Sequence, residues 1–481
     1  MIAVRHIPHD MNISQLPRLC DEESMKVHFE QQMRRERHPG DDRLIRSLQI
    51  RHIRYKPGRY AMVLYDIDFH NSSDRTAYPR TWYVRTFKKG KSAAEFQEAQ
   101  ERHWQEGGPH SLILHMADLE CIAWGFPSDR KIASLPQLID VHYLRHHVLP
   151  VLLEPHRLES WDIRMLHTEV IHYVPEHTCT MRVTTSLQQP KTLTSTSFTV
   201  FGKIFANPHS QLSFYNWQQL WNSPDRTSGT LVIPEPLHFD QETNTVWQSS
   251  LHGTPLSHYP LSDPRMCGWL EKAGTALARL HRTPIHGLPS NPVLDIQTRL
   301  HEAIETLVFL RPSAQDSLND VSSSLADQTA CWSSGPMVTL HGDPHRKNLF
   351  LENQTVGLID LDSLSSGPPL CDVGSCLASI WYRVALGEIS TALARVLSVK
   401  FLHGYQRTVS IEFNEAEVCW SIALFLVIEQ AARCATTFKA NRLDIIDHLI
   451  HMAKSLLEER TLLGDPLEQK QPCLLVPPHS F

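Results

Sequence analysis

The chain has 481 residues, 41 % of them hydrophobic and 20 % charged, the balance of a globular protein long enough for roughly three packed units of ~150 residues. Disorder and fibrous architecture are excluded for the whole. With 46 Lys and Arg against 52 Asp and Glu the formal charge is -6, so a nonspecific nucleic-acid coat is excluded as the main function, because its affinity comes from neutralising phosphates.

The longest strongly apolar windows, such as Ile422–Ile428, fall short of the ~20 residues that cross a bilayer. The opening MIAVRHIPHDMN carries no signal-type apolar core. The expected location is the cytoplasm, with no membrane and no nucleic-acid partner. Ten Cys show no CxxC pair, the closest two being Cys371 and Cys376, and 29 His show no HExxH. Neither a disulfide framework nor a thiolate or zincin-type metal site is expected.

In chain order, 1–45 is a polar leader ending in QQMRRERHPGDDR, read as a helix end followed by a turn at Pro39 and Gly40. From Ser47 alternating β-branched and aromatic residues with a turn at Pro57 and Gly58 predict a small antiparallel sheet. SAAEFQEAQERHW predicts a helix and DLECIAWGFPSD further strand. The same order recurs in TEVIHYVPEHTCTMRVTT, TSFTVFGKIFA, SQLSFYNWQQLW and LVIPEPLHF. A single offset of 118 residues sets Tyr55 on Tyr173, Pro57 on Pro175, Phe87 on Phe205 and Phe96 on Phe214, with Arg85 on Lys203. Duplication and chance likeness of two small sheets are both open readings.

After Pro260 the pattern turns helical. GWLEKAGTALARLHRT places Leu270, Ala273, Leu277 and Leu280 on one face, and 294–325 continues with a break at Pro312. A strand–loop–strand block occupies 337–362, and helices return from Cys371 to about Leu463, including the all-round apolar VCWSIALFLVIEQAARCATTF, a core helix. The tail 466–481 is Pro-rich and irregular. The units expected are 46–160, 161–258 and 259–465.

The chemistry concentrates in MVTLHGDPHRKNLFLENQTVGLIDLD. The strand MVTL delivers His341-Gly342-Asp343 onto a loop, Asn348 follows, and VGLID returns as a strand ending at Asp360 and Asp362, so adjacent strand ends are expected to present three carboxylates and an amide. Phosphoryl transfer needs such a set: one carboxylate to orient a hydroxyl and take its proton, and an amide with a carboxylate to hold Mg²⁺ on the phosphates. An unforced match to HGDxHxxN in a chain of this length has odds on the order of one in ten thousand.

These residues resemble the aminoglycoside phosphotransferase and choline kinase family, whose hallmark HGDxHxxN, IDxD and later Asp are matched by HGDPHRKN, IDLD and Asp372. The resemblance implies an α+β, protein-kinase-like two-lobe fold, an antiparallel-sheet N-lobe on a helical C-lobe, here with an extra N-terminal α+β domain. It implies ATP and Mg²⁺ as cofactors and a small-molecule hydroxyl as acceptor. Asp343 would be the catalytic base, Asn348 and Asp360 the Mg²⁺ ligands with Asp362 a helper at the metal, and His341, His345 and Asp372 supports. Leu280 and His281 would pack beneath the catalytic loop, and Lys203 would contact the phosphates.

Two features depart from that pattern. SQLSFYNWQQLW has no acid to pair with Lys203, leaving Gln218 or Gln219, and VPEHT has no glycine. The first copy has Gly58 and acids at Glu95, Glu98 and Glu101, but Arg85 in place of the lysine. The rival reading is a catalytically degenerate kinase-like protein that holds a nucleotide or partner. Gly90-Lys91-Ser92 fails as a phosphate-binding loop because Arg85 stands where that motif starts with Gly. Glu429 and Arg433 stand at i,i+4 and are read either as a buried pair or as substrate contacts.

Overall fold

The computed structural model describes all residues except 1–6, 36–42, 72–76, 106–112, 159, 191, 193, 209, 291–292, 333–335, 353, 439–441 and 463–481. The Pro39-Gly40 turn and the Pro-rich tail lie outside the described residues. The chain is α+β and divides into two compact units, the first comprising 1–221, 234–250 and 432–444, the second 222–233, 251–431 and 445–481.

The first unit contains two five-stranded antiparallel sheets. One is built from β1 (Arg43–Lys56), β2 (Tyr60–Asn71), β3 (Ala77–Thr86), β4 (Ile113–Met116) and β5 (Cys121–Gly125), in the order β1-β2-β3-β5-β4. The other is built from β6 (Asp162–Val174), β7 (Thr178–Gln188), β8 (Ser195–Phe205), β9 (Pro236–Asp240) and β10 (Thr245–Ser249), in the order β6-β7-β8-β10-β9. The strand orders are the same. The registers also correspond: Tyr55 faces Ala61 as Tyr173 faces Cys179, and Met62 faces Arg85 as Thr180 faces Lys203. In each sheet the third strand leads into a helix, Ser92–Gln105 and Ser210–Trp221. The offset read from the sequence therefore describes a structural repeat.

Short helices across 135–156 link the sheets. Their prolines divide an apolar stretch into these short pieces. Leu135, Leu149 and Leu152 of the linker share one buried core with Tyr83 and Trp124 of the first sheet and Met181 and Trp247 of the second. Within the leader, helix Glu22–Arg35 buries Met25 and Phe29, and the Phe29 ring meets Tyr65 and Trp82 edge-on. The Tyr55 hydroxyl and the Gly58 amide both donate to buried Asp10, at 2.8 and 2.7 Å. Before helix Ser92–Gln105 the anion position is filled by Glu120, whose carboxylate accepts from the Gly90 amide at 2.7 Å and the Ser92 hydroxyl at 2.6 Å. This disposes of a phosphate loop at Gly90–Ser92.

The second unit is helical around two small sheets. β11 (Thr254–Pro255), β13 (Leu349–Glu352) and β14 (Thr355–Leu358) form one, and β12 (Val338–Leu340) with β15 (Ser365–Gly367) the other. Helices Val293–Leu310 and Gln315–Trp332 meet at a short turn containing Pro312, as expected. Helices Met266–Arg282 and Thr391–Gln406 cross backbone to backbone, because a Cβ on Gly404 would lie 1.8 Å from the Glu271 carbonyl oxygen and one on Gly274 2.0 Å from that of Phe401. Only glycine permits that approach.

The run Glu415–Thr437 is 23 residues long and apolar enough to span a membrane, longer than its strictly apolar windows suggested, yet 83 % of its most apolar window is buried within the protein. A π-helical turn at Leu426–Ala431 interrupts it. There the winding widens and residues four apart no longer stack, which is why Glu429 is paired with Arg299 (3.3 Å) and Ser375 Oγ (2.8 Å) while Arg433 faces solvent.

Candidate functional site

The sequence predicts adjacent strand ends, without assigning the strands to a sheet. The structure draws these ends from two sheets: β12, which leads into His341, pairs with β15, whereas β13 and β14 form a hairpin in the other sheet. Their ends meet because Gly342 adopts φ 86° and a Cβ there would lie 2.6 Å from the Ser363 carbonyl oxygen. Gly342→Ala meets both a left-handed conformation and that backbone oxygen. A loss of at least ~1 kcal/mol in unfolding free energy is expected, read as a lower urea midpoint.

Below the loop, Asp372 stands 2 % exposed in the first turn of helix Leu370–Ala385. Its carboxylate accepts from the His341 amide at 2.6 Å, the Gly342 amide at 3.0 Å and His281 Nε2 at 3.0 Å. With Nε2 donating, His281 Nδ1 accepts the Tyr405 hydroxyl proton at 2.7 Å. Burial pushes the Tyr405 hydroxyl far up, so it stays a donor. His341 Nε2 donates to the Ile359 carbonyl at 3.0 Å, leaving Nδ1 to accept the Asp343 amide at 3.3 Å. His341 thereby ties the loop to the strand end before Asp360. Arg346, buried in the same loop, donates to the Tyr259 carbonyl at 3.2 Å. Burial and the nearby charge of Arg383 bring its guanidinium down to about 10.

On the open side, Asn348 Nδ2 donates to the Asp343 backbone oxygen at 2.9 Å and to its Oδ2 at 3.3 Å. This orientation fixes which end of the amide is the donor and leaves Oδ1 as an acceptor. The Ile359 amide donates to the Asn348 carbonyl at 3.0 Å, so Asn348 and Asp360 sit on facing strand ends. Asp360 is left-handed at φ 65°, and Asp362 follows in a single helical turn. Burial raises the Asp343 carboxyl, but His345 at 2.8 Å from Oδ1, with Lys347 and His341, outweighs it and holds the group below the usual carboxylate range. That contact lacks hydrogen-bond geometry. His345 is 7 % exposed and neither ring nitrogen has a hydrogen-bond partner among the described residues.

Among the described residues, no three His, Cys, Asp or Glu side chains converge closely enough to hold a metal ion, so the three expected carboxylates do not form one cluster. What the loop offers is an ionised Asp343, a carboxamide oxygen on Asn348 and a carboxylate on Asp360. That sparse oxygen set suits Mg²⁺, which keeps several waters and takes the rest of its shell from phosphates. The orphaned Nδ1 of His345 marks where a polar atom of a ligand or water belongs.

Lys203 lies in the other unit, on β8, with its ammonium 5.5 Å from the Phe205 ring centroid. Gln218 is exposed and Gln219 half-buried. On the same helix Asn216, 1 % exposed, has a side-chain oxygen without a partner among the described residues. Trp381 is core, donating to Ser398 Oγ at 3.1 Å, and Arg383 pairs with Glu388 at 2.9 Å. Tyr405 escaped the sequence reading, because its link to His281 spans 124 residues and no motif marks it.

Residues 224–407 match the model of the phosphotransferase enzyme family. The matched segment holds the whole HGDPHRKN loop, IDLD, Asp372, His281 and Tyr405, so the family model falls on the residues that carry the resemblance read from the sequence. Among solved structures, the chain is similar to a choline/ethanolamine kinase family protein from Mesorhizobium loti, at 15 % identity over 65 % of this chain and 98 % of that one, with a TM-score of 0.41. It is also similar to a choline kinase from Cryptosporidium parvum Iowa II, at 11 % identity over 63 % and 93 % of the two chains with a TM-score of 0.40. A spectinomycin phosphotransferase in complex with ADP and spectinomycin shares 10 % identity over 63 % and 97 %, with a TM-score of 0.40. No curated protein matches the chain.

Proposed function

We propose that the protein is an ATP- and Mg²⁺-dependent phosphotransferase acting on a hydroxyl group of a small molecule in the cytoplasm, with 161–258 as nucleotide-covering lobe, 259–465 as catalytic lobe and 46–160 as an added domain. The observation that carries this reading is the Asp343–Asn348 pair. A carboxylate held ionised and a carboxamide locked to it at 2.9 and 3.3 Å stand beside Asp360 on the facing strand end.

Asp343 is the base: its carboxylate orients the acceptor hydroxyl and takes its proton as the oxygen attacks the terminal phosphorus of ATP, and ADP leaves. Asn348 Oδ1 and Asp360 would hold Mg²⁺, with Asp362 supporting it; when bound, the metal neutralises charge on the phosphates. Lys203 would meet the phosphates from β8. His341 and Asp372 hold the loop, and His345 screens Asp343.

The degenerate reading is favoured by one observation, the lack of any acid in helix Ser210–Trp221, which leaves Lys203 without a carboxylate from that helix. The two readings separate on metal dependence of turnover. Asn348→Ala is expected to raise the Mg²⁺ concentration for half-maximal turnover at least about tenfold, measured by titrating Mg²⁺ at saturating ATP. Nucleotide binding without turnover on any hydroxyl compound supports the degenerate protein.

A further inference from the structure

The first sheet repeats the strand order of the second, and its strand cation Arg85 occupies the register position of Lys203. Arg85 is nevertheless engaged inside the protein. Its Nη1 donates to Glu176 Oε2 at 2.6 Å, Arg130 Nε donates to Glu176 Oε1 at 2.9 Å, and Arg130 Nη2 donates to Oε2 at 3.2 Å. Arg130 also reaches Glu95, on the helix that follows β3, at 3.4 Å. Glu176 belongs to the β6–β7 turn of the second sheet, and its side chain is 4 % exposed. One buried carboxylate thus meets two guanidiniums of the other repeat, the paired arrangement that a buried charge requires.

The turn around Glu176 is held as firmly as its side chain. Glu176 has φ 59°, a left-handed conformation that costs a non-glycine residue on the order of 1 kcal/mol. Its amide donates to Asp129 Oδ2 at 2.9 Å, and the same oxygen accepts the Tyr173 hydroxyl at 2.7 Å. Asp129 and Arg130 are neighbours in the first repeat, so backbone and side chain of the turn are gripped from one place. The turn has no glycine, and this grip supplies the fixed shape that its own residues do not favour.

We propose that the first repeat is not a second nucleotide site but a clamp: Glu176 fills the anion position between Arg85 and Arg130, and these arginines act as positioning residues that set the β6–β7 turn for nucleotide binding by the second sheet. This rests on the reading of the second sheet as the nucleotide lobe. With Glu176 and Glu95 balancing the two guanidiniums from within, this position attracts no phosphate, so the chain binds one nucleotide.

The test uses the full chain and titrates Mg-ADP by calorimetry, with amide hydrogen exchange of the turn 175–177 as a parallel readout. Wild type is expected to bind one nucleotide. Arg85→Met, and the milder Glu176→Gln should the first fold poorly, are expected to speed exchange at the turn and weaken Mg-ADP binding about fivefold. KM for ATP should rise by a similar factor with kcat nearly unchanged, and Arg85→Lys should recover part of the loss. A purely structural brace would lower thermal stability without moving the nucleotide affinity, and that result overturns the proposal. Two nucleotides bound by wild type, or exchange at the turn unchanged in both variants, also overturns it. Wild type that binds no nucleotide refutes the nucleotide-lobe reading instead, and the exchange measurement then decides the clamp alone.

Discussion

Asp343→Asn is expected to lower kcat by about 10²–10⁴-fold, the contribution of a positioned general base, while Mg-ATP affinity changes by less than a factor of a few. The asymmetry follows from the geometry. The Asp343 carboxylate is held below the usual carboxylate range, with His345 Nε2 at 2.8 Å from Oδ1, and an amide in its place has the same shape but no charge with which to take a proton. The Asn348 contact at 2.9 Å goes to the Asp343 backbone oxygen and survives the substitution, so the loop and its metal-facing amide persist. Steady-state kinetics on any accepted hydroxyl compound, with calorimetry of Mg-ATP, separates the two effects. A variant that keeps turnover within a few-fold of wild type removes Asp343 from the reaction.

Asp372→Ala should act on stability. The 2 % exposed carboxylate satisfies the amides of His341 and Gly342 and the Nε2 of His281; removing it strands three donors at once, two of them in buried bonds. Breaking such a network by deleting the charged member costs about 3–5 kcal/mol, read as a lower urea midpoint. The amide of Asp372→Asn turns its NH₂ against donors that Asp372 accepts, so this variant too is expected to lose stability. Activity should fall along with folding, because the peptides that deliver Asp343 are the ones Asp372 holds.

The helical unit was legible because its cues are local: the 3.6-residue periodicity of Leu270, Ala273, Leu277 and Leu280 and the Pro312 break each act within a few residues. The loop was legible because Asp343, Asn348 and Asp360 fall within eighteen residues of one another. The repeat showed as a bare offset, and pairing register turned that offset into structure. What escaped was long-range. β12 pairs with β15 while β13 pairs with β14, and the close approach of Gly342 to the Ser363 carbonyl is one that no residue pattern encodes. The Glu429–Arg433 pair failed because a π-helical turn resets the helical phase. Glu176 looked like an ordinary turn acid, since its partners Arg85 and Arg130 lie 91 and 46 residues away.

The central claim is tested most directly by following the terminal phosphate of labelled ATP, incubated with the full chain, Mg²⁺ and a panel of amino alcohols, sugars and aminoglycosides. The account predicts Mg²⁺-dependent transfer of the label to a hydroxyl of at least one compound, abolished by chelation and by Asp343→Asn. Label that stays on ATP across the panel, or transfer that Asp343→Asn leaves intact, contradicts it.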